Sequence, residues 1–216
     1  MQIKKSAMAT LARRSNWHKK AEPMAKGMFA RVYRKKGMYP QGLLLKRGEI
    51  VKVYHPLAQH HPVAQQFWAL KIAHELFPTQ VPKTKAYSRT PFSQEIHMEE
   101  VPVHKELAEY QKMASKNPND NWALENTPEY EACFQRFTAH HKTIKESEKK
   151  FALVGLKAGI ENSLNVSLTN PNNPVFFEVE IANPIVLIQH INTLPARKKN
   201  LVLDYLFRWF KASEVK

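Results

Sequence analysis

Asn165, Glu178 and Glu180 are the residues of this chain whose types and spacing suit metal chemistry. An amide oxygen and two carboxylates are hard donors, and magnesium takes oxygen ligands at short, near-octahedral distances. All three fall within residues 159–181, GIENSLNVSLTNPNNPVFFEVEI. Asn165-Val166-Ser167-Leu168 and residues 175–181 flank Thr-Asn-Pro-Asn-Asn-Pro, a cluster of turn formers, so the spacing predicts a β-hairpin. Alternation along its second strand sets Phe177, Val179 and Ile181 on one face and Phe176, Glu178 and Glu180 on the other. Such a hairpin is one way to hold a divalent cation; a solvent-facing hairpin with no ligand is the plainer reading of the same residues.

Those carboxylates need a scaffold, and the upstream half supplies candidates for it. Residues 42–54, GLLLKRGEIVKVY, read as two short strands around Arg47-Gly48, the second carrying Lys52 among β-branched neighbours. In residues 63–77, Ala64, Phe67, Trp68, Leu70, Ile72 and Leu76 fall at near-helical spacing, and Pro78 and Pro82 stop the helix. Residues 27–103 as a whole read as the β-rich half of the chain.

Together these segments resemble a degenerate member of the protein-kinase-like superfamily, which includes aminoglycoside and lipopolysaccharide-core kinases. Ile50-Val51-Lys52-Val53 is similar to the strand whose lysine contacts nucleotide phosphates. Ala158-Gly159-Ile160 is similar to the run before the catalytic loop, Asn165 to the metal-binding asparagine, and Phe176-Phe177-Glu178-Val179-Glu180 to the hydrophobic-hydrophobic-D-x-E run. The resemblance covers roughly residues 27–181 and implies two lobes with ATP and magnesium in the cleft between them. Lys52 would hold phosphates, Glu99 and Val101 would lie at the hinge against the nucleotide, and Asn165 and Glu178 would hold the metal, with Glu180 as the alternative ligand. The chain departs from the pattern in several places. Ile160 stands where the family carries its catalytic Asp, leaving Glu161 as the nearest candidate base. Glu178 replaces the metal-binding Asp, and the segment from Gly27 to Tyr33 has one glycine where a glycine-rich loop has two or three. The helix after Lys52 offers only Glu75 as an ion-pair partner. Phosphoryl transfer depends on positioning and on charge stabilisation, so these losses favour a pseudokinase over an active kinase.

The 216 residues are enough for one domain or two lobes, and no apolar run reaches the roughly 18–20 residues that span a bilayer. The single cysteine, Cys133, forms no internal disulfide, which suggests a reducing, cytoplasmic compartment. Positive charge is concentrated at the start. Residues 1–52 hold fourteen Lys or Arg against Glu22 and Glu49, and so carry +12 of the net +14. A basic segment commonly marks contact with nucleic acid, an anionic membrane or an acidic protein, and with Trp17, Phe29, Tyr33 and Tyr39 interleaved a module that binds nucleic acid or protein is the alternative function. The first twenty residues also overlap in composition with a transit peptide. Ten histidines show no zinc-ligand spacing, and no G-x-S-x-G supports a serine nucleophile.

The expected organisation is a basic extension over 1–26, a β-rich lobe over 27–104 and a helical lobe over 105–216. Thr127-Pro128-Glu129 opens a helix running to about Lys150, and residues 151–157 continue as a second helical stretch. Residues 195–212 form an amphipathic helix that docks on the core, with membrane or partner binding as its alternative. The fold class expected is α+β, with a small antiparallel sheet in the first half and mostly helix with one hairpin in the second.

Overall fold

The computed structural model describes residues 25–26, 30–34, 49–54, 63–89, 93–101, 128–158, 166–170 and 173–214. The fold is α+β. A five-stranded antiparallel sheet occupies the first half, with strands β1 (Ala25–Lys26), β2 (Ala30–Arg34), β3 (Glu49–Tyr54), β4 (Thr84–Arg89) and β5 (Gln94–Glu99) in the order β1-β2-β3-β5-β4. Helix α1 (Val63–Leu76) separates β3 from β4. The second half holds the long helix α2 (Pro128–Leu153), strands β6 (Leu156–Ala158), β7 (Val166–Asn170), β8 (Asn173–Phe176) and β9 (Val179–Ile181), and helices α3 (Pro184–Asn192) and α4 (Ala196–Glu214).

Local chemistry accounts for most of these boundaries. Every residue of β3 is buried, as expected of a central strand covered on both faces. Helix α1 buries Val63, Gln66, Phe67, Ala69, Leu70, Ile72 and Ala73, and ends two residues before Pro78, which disfavours helical backbone at its predecessor. Pro128 sits at the start of α2, where its missing N–H costs nothing.

Helix α2 stops abruptly. Gly155 takes φ +81° just after it, a left-handed conformation in which the chain can turn from helix into strand. Residues 156–158 are therefore strand β6, correcting the expectation of a second helical stretch. The Gly155 carbonyl accepts hydrogen bonds from the amides of Ala182 (3.0 Å) and Asn183 (2.9 Å), tying the end of α2 to the end of β9. Asn183 then caps α3, its side-chain oxygen accepting from the amides of Ile185 and Val186 at 3.2 Å.

Two small antiparallel pairs form beside α2. Strand β7 pairs with β8, and β6 pairs with β9. One hydrophobic core joins the sheet (Ile50, Ile96, Met98) and α1 (Phe67, Leu70) to Phe151, Phe176, Val179, Leu187, Ile191, Val202 and Leu206. Phe151 is its centre, stacked on Phe77 at 4.3 Å and edge-on to Phe176 at 5.2 Å. The turn after α1 is fastened across the same seam. The Phe176 amide donates to the Gln80 carbonyl (2.8 Å), Asn173 Nδ2 donates to the Thr79 carbonyl (2.7 Å), and Gln80 Nε2 donates to Ser147 Oγ (2.9 Å). These bonds fix the end of β8 relative to the sheet, and with it the starting point of Phe177 and Glu178.

Candidate functional site

Lys52 and Tyr54 are two residues apart on β3 and so project from the same face of the sheet. Ile96 and Met98 of β5 share that face, through the register that pairs Lys52 with Ile96 and Ile50 with Met98. The Lys52 ammonium donates to a Glu178 carboxylate oxygen in a hydrogen-bonded ion pair across 126 residues of sequence. The lysine side chain retains 10% of its exposure and the glutamate 30%, so the pair sits at the edge of the core with the carboxylate toward solvent.

Glu178 reaches this position because the chain changes partners there. Strand β8 is hydrogen-bonded to β7 and ends at Phe176; β9 begins at Val179 and is bonded to β6. Phe177 and Glu178 lie between the two ladders, outside both. The expected single strand over residues 175–181 is thus two strands with a break. Strict alternation does not carry through it: Val175 and Phe176 are both buried, Phe177 and Glu178 are both half-buried, and Val179 is buried.

The site holds two further side chains. The Tyr54 hydroxyl donates to Gln66 Oε1, which fastens β3 to the first turns of α1, and Lys52 Nζ lies 5.3 Å from the Tyr54 ring centroid. Burial, then the charge of Glu178, holds the Tyr54 hydroxyl well above the ordinary tyrosine range. A tyrosine whose proton is held more tightly in the folded state stabilises the fold fully below its unfolded value, near about pH 10. That contribution is lost as pH rises through the folded value. Tyr54→Phe is therefore expected to flatten the fall in stability between about pH 10 and 12, read from urea midpoints. An unchanged slope would assign the alkaline loss to other groups.

Residue type and spacing in the sequence do not by themselves single out Tyr54 or Gln66. The signal for Tyr54 was its i+2 spacing from Lys52, and for Gln66 a polar side chain among the apolar residues of α1. Helix α1 carries no acid in its first turn, and Glu75 lies near its end, so the partner of Lys52 comes from the β8–β9 break instead.

The remaining candidates stand elsewhere. Glu99 ends β5, exposed, opposite Glu49 in the register, and its amide donates to the Lys83 carbonyl at 2.9 Å; Val101 lies two residues on, half-buried. Glu180 is exposed on β9, opposite Lys157, and lines a pocket of about 260 Å³ with Gln65, Gln66, Ala69 and Trp209. Glu161 and Asn165 lie outside the described residues. The fold thus brings together Lys52 and Glu178: a cation that suits phosphate oxygens beside a carboxylate that suits a hard metal ion.

No protein-family model matches the chain, and no curated protein matches it by sequence. Among solved structures it is similar to WbdD, seen in a co-crystal structure with the kinase inhibitor LY294002, at a TM-score of 0.41 and 10% identity. The match covers 88% of this chain and 45% of that one, so the chain spans under half the length of the WbdD chain.

Proposed function

We propose that this chain is a kinase-like, nucleotide-binding protein whose site is built on Lys52 and Glu178. The observation that carries the reading is their ion pair, which joins the central strand of the sheet to the break between β8 and β9. It brings a lysine ammonium and a carboxylate, groups of the kinds that hold phosphate and a hard metal ion, together from segments that share no local sequence. The residues fit magnesium. That ion commonly binds through one or two carboxylates plus substrate phosphates, and Glu178 offers one carboxylate, three-tenths exposed. ATP with magnesium is accordingly the ligand we assign to the Lys52–Glu178 site. When bound, the metal would neutralise phosphate charge; the part of the protein is to orient the phosphates through Lys52 and to supply the Glu178 oxygens.

Glu99 and Val101 are assigned to the nucleotide base at the end of β5, Asn165 to the second metal contact, Glu180 to the alternative for Glu178 as metal ligand, and Glu161 to the role of base if a phosphoryl group is transferred. The chain lacks the usual catalytic acid at residue 160, and the proposal favours binding over rapid transfer.

Substituting Glu178 separates the two halves of this reading. Glu178→Gln keeps the size of the side chain and removes its charge, so Lys52 stays in place while the metal contact is lost. In equilibrium titration of a fluorescent ATP analogue, the variant is expected to lose about tenfold in affinity with magnesium present. Without magnesium it should bind at least as well as the parent, because Lys52 no longer has to leave a carboxylate. A variant that keeps the full magnesium enhancement would remove Glu178 from the metal site.

A further inference from the structure

Helices α3 and α4 expose apolar side chains that the core does not use. On α4, Phe207 retains 57% of its exposure and Phe210 41%; on α3, Ile185 retains 70% and Ile188 38%. Phe207 and Phe210 are three residues apart and so lie on one side of their helix. Leu203, half-buried and packed against the core, stands one turn before Phe207 on the same row, and Lys199 and Lys211 continue that row at either end. The adjoining side of α4 is the docked one. Val202 and Leu206 are buried in the core, Tyr205 lies 5.8 Å from Trp68 of α1, and the Arg208 guanidinium stacks over Trp68 at 5.3 Å. Helix α4 is therefore held by one face, leaving a second apolar stripe toward solvent. Only three residues link α3 to α4, and the two helices touch, so α3 presents its isoleucines from the neighbouring helix of a hairpin.

Charge decides what covers this surface. Helix α4 carries Arg197, Lys198, Lys199, Arg208 and Lys211 against Asp204 and Glu214, and Asp204 is paired with Arg208. The Lys211 ammonium lies 4.5 Å from the Phe207 ring centroid, so a cation sits directly at the edge of the apolar stripe. A second copy of the chain would bring like charge against like charge across an isologous contact, and with a net charge of +14 per copy that association is opposed. An anionic surface is attracted by the same charges. Exposed aromatic side chains bordered by lysines whose stems extend to a polar boundary form an amphipathic stripe along α4. That geometry suits a lipid interface better than a peptide groove.

We propose that the α3–α4 face docks on a membrane surface rich in anionic lipid, with Phe207 and Phe210 entering the boundary between headgroups and acyl chains and Lys199 and Lys211 meeting the headgroups. This goes beyond the nucleotide reading and does not depend on it. The test is co-sedimentation of the full chain with phosphatidylcholine vesicles, with and without 30 mol% phosphatidylglycerol (about one anionic lipid in three). The chain is expected to bind the anionic vesicles and to leave the neutral ones in solution. Phe207→Ser combined with Phe210→Ser is expected to lower the partition coefficient at least about tenfold. Both side chains are exposed, so the melting temperature should be unchanged, and Lys199→Gln with Lys211→Gln provides a second variant expected to bind more weakly and with less salt dependence. Full binding by the serine variant would place membrane attachment on the basic first quarter and overturn the proposal. So would a parent chain that ignores anionic vesicles and instead oligomerises with concentration.

Discussion

Lys52→Ala is expected to lower affinity for magnesium-ATP by at least about tenfold while leaving the fold in place. The ammonium is the cation paired with Glu178, and a charge-assisted contact to phosphate is worth about 1.5–3 kcal/mol. The stability cost is smaller than for a fully buried pair. Glu178 keeps 30% of its exposure, so it rehydrates when its partner is removed, and a loss of about 1–2 kcal/mol is expected. Far-ultraviolet circular dichroism and the melting temperature check the fold, and nucleotide titration checks the site. Unchanged affinity in a folded variant would take Lys52 out of the site. Glu75→Gln is the informative control: it removes the one acid of α1 and, since Lys52 is paired with Glu178, should leave nucleotide affinity as it was.

The largest loss of stability from a single added methyl is expected at Gly155→Ala. The φ of +81° costs an alanine about 1–2 kcal/mol by itself. The added carbon also collides with the carbonyl oxygen of Asn183 and would lie 2.8 Å from the amide nitrogen of Leu187. Both are backbone atoms at the start of α3, so no side-chain rotation relieves them. The turn that joins α2, β6 and β9 must open, and the two hydrogen bonds accepted by the Gly155 carbonyl go with it. The total is about 3–5 kcal/mol, a large part of the 5–15 kcal/mol typical of a domain, with a melting temperature lower by about 10 °C. Ala152→Ser, exposed on the preceding turn, should stay within about 0.5 kcal/mol. A Gly155→Ala protein melting within about 2 °C of the parent would mean that this turn is not a fixed corner of the fold.

Elements whose signals are local were legible in the sequence. The β-branched run around Lys52 became β3, the apolar spacing of residues 63–76 became α1, Pro128 opened α2, and the two segments on either side of residues 171–172 pair as the antiparallel strands β7 and β8. The expectations that failed depended on partners distant in sequence. Leu156-Lys157-Ala158 continues the apolar pattern of α2, and only Gly155 marks the stop; the three residues become a strand because β9 is there to pair with them. Residues 175–181 look like one strand because nothing local marks the exchange of partners at Phe177 and Glu178. Helix α3 was not anticipated either, although Asn183-Pro184 is a cap followed by a proline at the first helical position.

The candidate site divides along the same line. Lys52 and Glu178 were each picked out by residue type and setting, but their pairing was not. The sequence offered Glu75 as the partner of Lys52, and the fold delivers Glu178 from 126 residues away. Tyr54 and Gln66 became visible only when α1 was laid against β3, since a tyrosine and a glutamine twelve residues apart carry no shared pattern.

A thermal-shift titration of the full chain with ATP, in the presence and absence of magnesium, tests the nucleotide reading most directly. A ligand that binds the native state stabilises it by about 2.7 kcal/mol at a hundred times its dissociation constant, an effect well above detection. The expected result is a melting temperature that rises with ATP concentration, rises further when magnesium is added, and in Lys52→Ala rises only at about tenfold higher ATP or more. A parent chain whose melting temperature does not move at millimolar ATP with magnesium (about 1–5 mM) would contradict it.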